Sequence, residues 1–171
     1  PAIAAGCPVI VKPAATTPYT CLKFVQLLHQ AGLPEDWCQA LVLNNANAEK
    51  LATDSRVAYL SFIGSAKVGW YLRSKLAAGT RCGLEHGGVA PVIIDRSSTD
   101  QLDELVPPLV KGAFYHAGQV CVSVKRIYVP EEAAVTLAEK LAEAASMLKV
   151  GDPSDPATEV GPLIRPEEVD R

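Results

Sequence analysis

VAYLSFIGSAKVG, residues 57–69, places a run of apolar residues directly before a glycine-containing turn and a helix pattern. Apolar residues that are nearly continuous over residues 57–63 are typical of a strand buried on both faces, as in a parallel sheet. Gly64 permits a tight turn with close backbone approach, and a helix is predicted over residues 66–78. Strand, turn and helix in this order form the repeating unit of an open α/β sheet.

Strand and helix patterns alternate on both sides of this stretch. Short apolar runs bounded by turn residues predict further strands at residues 8–12, 39–43, 80–85, 91–95 and 124–130. One intervening helix pattern ends at Gly32 and is expected to leave His29 on its surface. Pro107 and Pro108 are expected to break a later helix, because proline cannot donate to the backbone ladder. The sequence therefore predicts an α/β fold with an open, mostly parallel Rossmann-like sheet and flanking helices, continuing after residue 86 into part of a second α/β domain.

Composition and charge exclude several classes of partner. The 171 residues carry 16 Lys and Arg and 19 Asp and Glu, interspersed, with a formal net charge of -3. This charge distribution indicates neither nucleic acid nor an anionic membrane surface as a partner. No apolar run approaches the roughly 20 residues of a membrane span, and the start lacks the basic segment of a signal peptide, so a cytoplasmic location is expected.

The cysteines and the chain ends are also informative. The cysteines are odd in number, scattered and without CxxC spacing: Cys7, Cys21, Cys38, Cys82 and Cys121. Such spacing indicates neither a disulfide framework nor a metal site, and predicts reduced thiols. The chain opens without Met in a helix-like segment and closes in RPEEVDR, which resembles a first helical turn. We therefore expect a segment of a longer protein.

Two features are candidates for binding a phosphate-containing cofactor. Gly64, Ser65 and Gly69 lie where a buried-type strand passes into a helix, and a helix N-terminus attracts phosphate. The spacing lacks the first glycine of GxGxxG and the lysine of a P-loop, so an ordinary strand-to-helix turn is the alternative. Lys12 follows the first strand, at the edge where open α/β sheets bind ligands, although a solvated lysine is also typical there.

Glu85 is the first candidate for chemistry, since it ends a predicted strand directly before HGG. An acid about 20 residues after a glycine turn is suited to the ribose of NAD, but the same carboxylate also suits a general base. An exposed carboxylate without function is the third interpretation.

Cys121, in GQVC, is the second candidate for chemistry. Gly118 permits a sharp turn ahead of it, and a nucleophilic cysteine needs such presentation together with an activating group. The alternative is a small apolar core residue, because free cysteine is among the most buried residue types. His86 or His116 could pair with Cys121 as in a cysteine hydrolase, but no spacing supports that pairing.

Five stretches, VIVKP, FIGSAKVG, LEHGG, GQVC and GDPSDPATEVGPLI, together resemble the NAD(P)-dependent aldehyde dehydrogenase superfamily in their order. The resemblance covers essentially the whole chain and implies a middle segment of a longer enzyme. It implies that residues 1–86 are part of the cofactor-binding domain and residues 87–171 part of the catalytic domain. A small-molecule aldehyde would be the substrate, and the full-length parent is expected to be a homo-oligomer.

The resemblance also implies a role for each candidate residue. Cys121 would attack the aldehyde to give a thiohemiacetal, which passes hydride to the nicotinamide and becomes a thioester, and Glu85 would activate the water that releases the acid. Lys12 would contact the adenosine ribose of NAD or NADP. The pyrophosphate would face Gly64, Ser65 and Gly69.

The resemblance is incomplete in three respects. The family stabilises the oxyanion with the backbone N–H of its cysteine and with an earlier Asn that this chain lacks, so the segment alone is expected to have little or no activity. Ala15 stands where many NAD-preferring members carry a glutamate, so NADP is not excluded as the cofactor. His86 replaces an apolar residue common after the glutamate. A coenzyme A-acylating relative, which generally lacks that glutamate, and a non-catalytic binding or structural module are the alternatives.

Overall fold

Six strands form three separate parallel pairs within residues 1–169, the part of the chain that the computed structural model describes. The strands are β1 Val9–Val11, β2 Cys38–Ala40, β3 Tyr59–Ile63, β4 Arg81–Glu85, β5 Ala90–Ile93 and β6 Val124–Tyr128. The pairs are β1 with β2, β3 with β4, and β5 with β6. Each strand lies within or next to a predicted apolar run, and the prediction of an open, parallel α/β architecture is confirmed.

The described residues contain five α-helices, of which four connect strands and the fifth follows β6. They are α1 Tyr19–Gln30, α2 Asn45–Ala52, α3 Ala66–Lys75, α4 Leu102–Phe114 and α5 Glu131–Ser146. Short 3-10 turns occur at Ile3–Ala5, Glu35–Trp37, Arg96–Ser98, Tyr115–Gly118 and Pro166–Glu168. The last of these lies in the predicted C-terminal helical turn, whose final residues 170 and 171 are outside the described part. Every helix of residues 1–169 is too short or too polar to cross a bilayer.

The chain divides into two compact units. The first comprises residues 1–63 and 67–85, and the second comprises residues 64–66 together with the chain from His86 onwards. The assignment of residues 1–86 to cofactor binding and of residues 87–171 to catalysis stays a prediction.

The expectation that the strands are buried on both faces is wrong for this chain. Exposed and half-buried residues alternate along β3, and Ile63 at its end is 83% exposed. The same alternation holds in β5, where Ile93 is 79% exposed. Because side chains alternate between the faces of a strand, β3 and β5 each have one half-buried face and one exposed face.

The predicted break at Pro107 and Pro108 is also wrong, since α4 runs through both prolines without interruption. An interior proline costs about 3 kcal/mol or more in helix stability. Burial of one large aliphatic side chain contributes about 1.5–3 kcal/mol, so several such side chains offset that cost. One face of α4, called here the α4 stripe, carries such buried side chains. They are Leu102, Val106, Leu109 and Val110, all 6–7% exposed.

The core of the second unit lies between α4, α5 and the β5–β6 pair. Leu137 of α5, 2% exposed, lies in the same cluster as the α4 stripe, Ile94 and Ala133. Partly buried Val124 and Ile127 of β6 pack against this cluster. The core therefore fixes the strand that directly follows the Cys121 turn.

In the first unit, Val25 of α1 and Cys38 of β2 are buried apolar residues. His29 Nε2 donates to the backbone carbonyl of Cys38 at 2.7 Å. His29 is half-buried, so its expected surface position is wrong: the ring satisfies the carbonyl of a buried strand residue.

Helix α2 was not among the predicted elements, although its start carries a clear signal. The Asn44 side chain accepts from the Asn47 N–H at 2.9 Å, which is an N-cap. Glu49 of α2 accepts from Tyr71 Oη at 3.0 Å and from Lys75 Nζ at 2.9 Å, which ties α2 to α3. The hydrogen bonds from Lys75 and Tyr71 lower the pKa of Glu49.

Candidate active site and cofactor-binding residues

Cys121 lies in a turn between the 3-10 helix Tyr115–Gly118 and β6. The turn is closed by the Ser123 N–H, which donates to the Val120 carbonyl at 3.0 Å. The Cys121 thiol is free and exposed, whereas Cys38 is 2% exposed. Cys121 is therefore not a core residue of this chain.

The chain ahead of Cys121 takes the sharp turn expected at Gly118. Three consecutive residues have left-handed backbone angles: His116 with φ 49°, Ala117 with φ 56° and Gly118 with φ 72°. This conformation is costly for residues with a side chain, and such strain is concentrated at functional sites. Lys125 Nζ of β6 donates to the Gly118 carbonyl at 2.7 Å and helps to hold the turn.

Gln119 connects this turn to a segment much later in the chain. Its Nε2 donates to the His116 carbonyl at 3.0 Å and to the Pro162 carbonyl at 3.4 Å. Its Oε1 accepts from the Ile164 N–H at 2.8 Å. One amide thus holds the Cys121 turn and the GPLI stretch together. Sequence reasoning missed Gln119, because no spacing relates it to residues 162–164.

The loop that delivers Pro162 and Ile164 is organised by its own carboxylates. Asp152 accepts from the Ser154 N–H at 2.7 Å, and Asp155 accepts from Lys149 Nζ at 2.7 Å and from the Ala157 N–H at 2.9 Å. The Ser154 backbone bond lowers the pKa of Asp152, and the Lys149 bond lowers the pKa of Asp155. Both side chains are therefore anchored as anions at neutral pH.

Glu85 is the last residue of β4 and is exposed. Its register partner across the pair is Ile63, the residue that precedes Gly64. Because β3 and β4 are parallel, the carboxylate lies at the carboxyl end of the strand pair from which the glycine-containing turn starts. The sequence signals at Glu85 and Gly64 therefore belong to one sheet edge.

Ser65 separates Gly64 from α3, whose first residue is Ala66. The N–H groups of the first helical turn follow immediately, at the positive end of the helix dipole, and Gly69 is buried within the same helix. These donors suit the pyrophosphate of a dinucleotide. The predicted helix over residues 66–78 is three residues too long, since α3 ends at Lys75.

Lys12 follows the last residue of β1, and its side chain is exposed. Pro13, directly after it, is buried and anchors the chain at this point. A cationic donor at the carboxyl end of a parallel strand suits a cofactor hydroxyl or phosphate. Within residues 1–169, no group of three or more His, Cys, Asp or Glu side chains could hold a metal ion.

The chain is similar to known proteins over its whole length. The model of the aldehyde dehydrogenase family matches residues 1–171. The chain is 39% identical over 173 residues to 3-sulfolactaldehyde dehydrogenase from Priestia aryabhattai, covering 100% of this chain and 35% of that protein. The chain thus spans about a third of the length of such relatives.

Solved structures are similar over the same extent. The NAD-dependent aldehyde dehydrogenase from Sinorhizobium meliloti matches with a TM-score of 0.91 at 30% identity, covering 99% of this chain and 34% of that one. The NADP-dependent enzyme from E. coli matches with a TM-score of 0.89 at 35% identity, covering 99% of this chain and 35% of that one.

Proposed function

The chain belongs to the aldehyde dehydrogenase family, and we propose that the protein carrying it oxidises an aldehyde to a carboxylic acid with NAD or NADP as the cofactor. The observation that carries this proposal is the exposed thiol of Cys121, presented by a turn that Gln119 and Lys125 hold in place. A nucleophile that forms a covalent intermediate needs an accessible atom in a restrained geometry.

Cys121 performs the first step in this proposal. Its thiolate bonds to the aldehyde carbon and forms a thiohemiacetal, whose oxyanion accepts a hydrogen bond from the Cys121 backbone N–H. Bound NAD(P)+ supplies the hydride acceptor for the oxidation. The acyl group is then held on Cys121 as a thioester.

Glu85 performs the second step. Its carboxylate removes a proton from the water that attacks the thioester, and the carboxylic acid leaves as the Cys121 thiolate is restored. The exposed position of Glu85 at the end of β4 makes the carboxylate accessible to water. Its presence favours hydrolysis over acyl transfer to coenzyme A.

Lys12, Gly64, Ser65 and Gly69 hold the cofactor in this proposal. The N-terminal N–H groups of α3, after Gly64 and Ser65, bind the pyrophosphate, and the exposed Lys12 donates to the adenosine ribose. Ala15 leaves no carboxylate to repel a 2′-phosphate, so both NAD and NADP are compatible. The similar solved structures include an NAD-dependent and an NADP-dependent enzyme.

We expect Ala15→Glu to weaken NADP+ binding more than NAD+ binding.

The 171 residues alone are expected to be nearly inactive. The second oxyanion donor that the family resemblance implies is an Asn absent from this chain, and loss of one such donor typically costs about 10²- to 10³-fold in rate. The full-length protein and the isolated chain should therefore differ sharply in activity. Homo-oligomeric assembly and a cytoplasmic location stay predictions from the sequence.

The experiment measures NADH or NADPH formation by the full-length protein with a panel of aldehydes that includes 3-sulfolactaldehyde. Glu85→Gln should retain cofactor affinity and accumulate an acyl-enzyme on Cys121, visible as a mass increase. If Glu85→Gln instead weakens cofactor binding, the carboxylate is a ribose ligand and the proposed base is wrong. If coenzyme A is required for turnover, the protein is an acylating relative.

A further inference from the structure

The backbone at Gly88 passes directly against the backbone carbonyl of Cys121. A Cβ atom placed on Gly88 would fall well inside 3.0 Å of the Cys121 carbonyl oxygen, 3.2 Å from its carbon and 3.7 Å from its Cα. Side chains essentially never approach a backbone oxygen so closely, and the obstructing atoms are main chain. The present position of Cys121 therefore requires that residue 88 have no side chain.

The neighbouring Gly87 differs in this respect. A Cβ atom placed there meets nothing within 4 Å, and its φ is not in the left-handed region. The same holds for the φ of Gly88, so its constraint is steric rather than conformational. The two glycines thus form a matched pair in which only one restricts the Cys121 turn.

The strand pair that follows explains the close approach. Gly88 lies two residues before β5, and Cys121 lies three residues before β6. The first register partners of this parallel pair are Ala90 and Val124. The segment that leads into β5 and the segment that leads into β6 therefore already run side by side before the strands begin. Cys121 lies in the second of these segments.

The Cys121 turn is also restrained by partners other than Gly88. Gln119 accepts from the Ile164 N–H, and Lys125 donates to the Gly118 carbonyl. A methyl group at residue 88 would therefore clash with a turn that these hydrogen bonds already hold in place. The atom that the new methyl group would meet first is the carbonyl oxygen of Cys121 itself.

We propose that Gly88 is a positioning residue for Cys121, whose missing side chain sets where the Cys121 peptide and thiol lie. The inference rests on the proposed function, in which Cys121 is the nucleophile and its N–H an oxyanion donor. A displacement of about 1 Å in a reacting group can cost about 10²-fold in rate. Gly88 itself touches neither substrate nor cofactor in this proposal.

The test compares Gly88→Ala with Gly87→Ala in the full-length protein. Gly88→Ala should lower kcat for aldehyde oxidation by about 10²-fold, with the KM for NAD(P)+ nearly unchanged, while Gly87→Ala stays within about twofold of wild type. A purely structural role would instead lower the folded fraction and cofactor binding together. Equal kcat for both variants and wild type would overturn the proposal.

A second readout is the iodoacetamide alkylation rate of Cys121, followed peptide by peptide by mass spectrometry. Gly88→Ala should change this rate by about threefold or more, while the exposed Cys7 in the same molecules reacts as in wild type. This rate needs neither aldehyde nor NAD(P)+. An inactive wild type would therefore disprove the proposed function, whereas an unchanged Cys121 rate in Gly88→Ala would disprove the positioning role.

If Gly88→Ala does not fold, a double variant replaces it. Adding Gln119→Ala removes the hydrogen bond from the Ile164 N–H, so the Cys121 turn can shift away from the new methyl group. Gln119→Ala alone is the reference. The double variant should show a lower kcat and an altered Cys121 alkylation rate relative to that reference. A double variant identical to its reference overturns the proposal.

Discussion

Cys38 and Cys121 are the same residue type in opposite surroundings. Cys38 begins β2, is 2% exposed, and has its carbonyl bonded by the His29 ring. Cys121 lies in a turn, exposes its thiol, and has its carbonyl packed against Gly88. The first side chain is almost fully buried in packing, while the second belongs to an exposed residue. The exposed thiol of Cys121 is therefore the one available for chemistry.

The largest expected difference between these two regions is in activity. Cys121→Ser in the full-length protein should lower kcat by at least about 10³-fold, because the nucleophile is lost. Cys38→Ser, assayed on its folded fraction, should keep kcat within a few-fold of wild type. Steady-state NAD(P)H formation measures kcat for both variants. Comparable losses of kcat in the two variants would contradict the assignment of Cys121 as the nucleophile.

The next difference is in thiol reactivity. Cys121 should react with iodoacetamide at least about 10²-fold faster than Cys38, because Cys38 is reached only after local opening of the first unit. Peptide mapping at timed intervals resolves the two rates in one sample. Denaturant should abolish the difference, whereas a ratio near one under native conditions would contradict it.

Stability should show the reverse order. Cys38→Ser should lower the free energy of unfolding of the first unit by about 1–3 kcal/mol, because a hydroxyl replaces a weakly polar thiol in a buried position. Cys121→Ser and the control Cys7→Ser, both at exposed positions, should lie within about 0.5 kcal/mol of wild type. Urea unfolding monitored by circular dichroism gives these values.

The smallest expected effect concerns the loop that reaches the Cys121 turn through Gln119. Hydrogen bonds lower the pKa values of Asp152 and Asp155, so the unfolded chain binds protons more readily than the folded one. Their stabilising contribution is complete above the ordinary aspartate pKa of about 3.9 and is lost as pH falls through the lowered values. Asp155→Asn should therefore unfold at slightly less urea than wild type at pH 7. This difference should shrink in acid, and a constant difference from pH 7 to acid would contradict the assignment.

Much of the fold follows from local signals in the sequence. The runs at residues 57–63 and 80–85 contain β3 and β4, because apolar character bounded by turn residues specifies short strands. The pairing of β3 with β4, by contrast, comes from the structure, and it brings Glu85 opposite Ile63, the residue before Gly64. The Asn44 cap of α2 is an equally local signal, which helical periodicity alone does not include.

The failed expectations share a different cause. Helix α4 continues through Pro107 and Pro108 because its other face is buried in the core of the second unit, which no local rule includes. His29 is half-buried because its ring meets a strand carbonyl outside its own helix. Gln119 reaches Pro162 and Ile164, a contact between segments far apart in the chain. Each depends on packing between elements.

By itself, the sequence determined the order of strands, turns and helices and the five family-like motifs, because periodicity, turn residues and motif spacing are properties of neighbouring positions. Only the tertiary structure decided which thiol is buried and which is exposed, since Cys38 follows the charged residues Glu35 and Asp36 in the chain whereas Cys121 lies between two valines. It alone decided that Gly88 rather than Gly87 restricts Cys121. Exposure and steric contact are set by packing between segments that are distant in the chain, and no spacing along the chain encodes that packing.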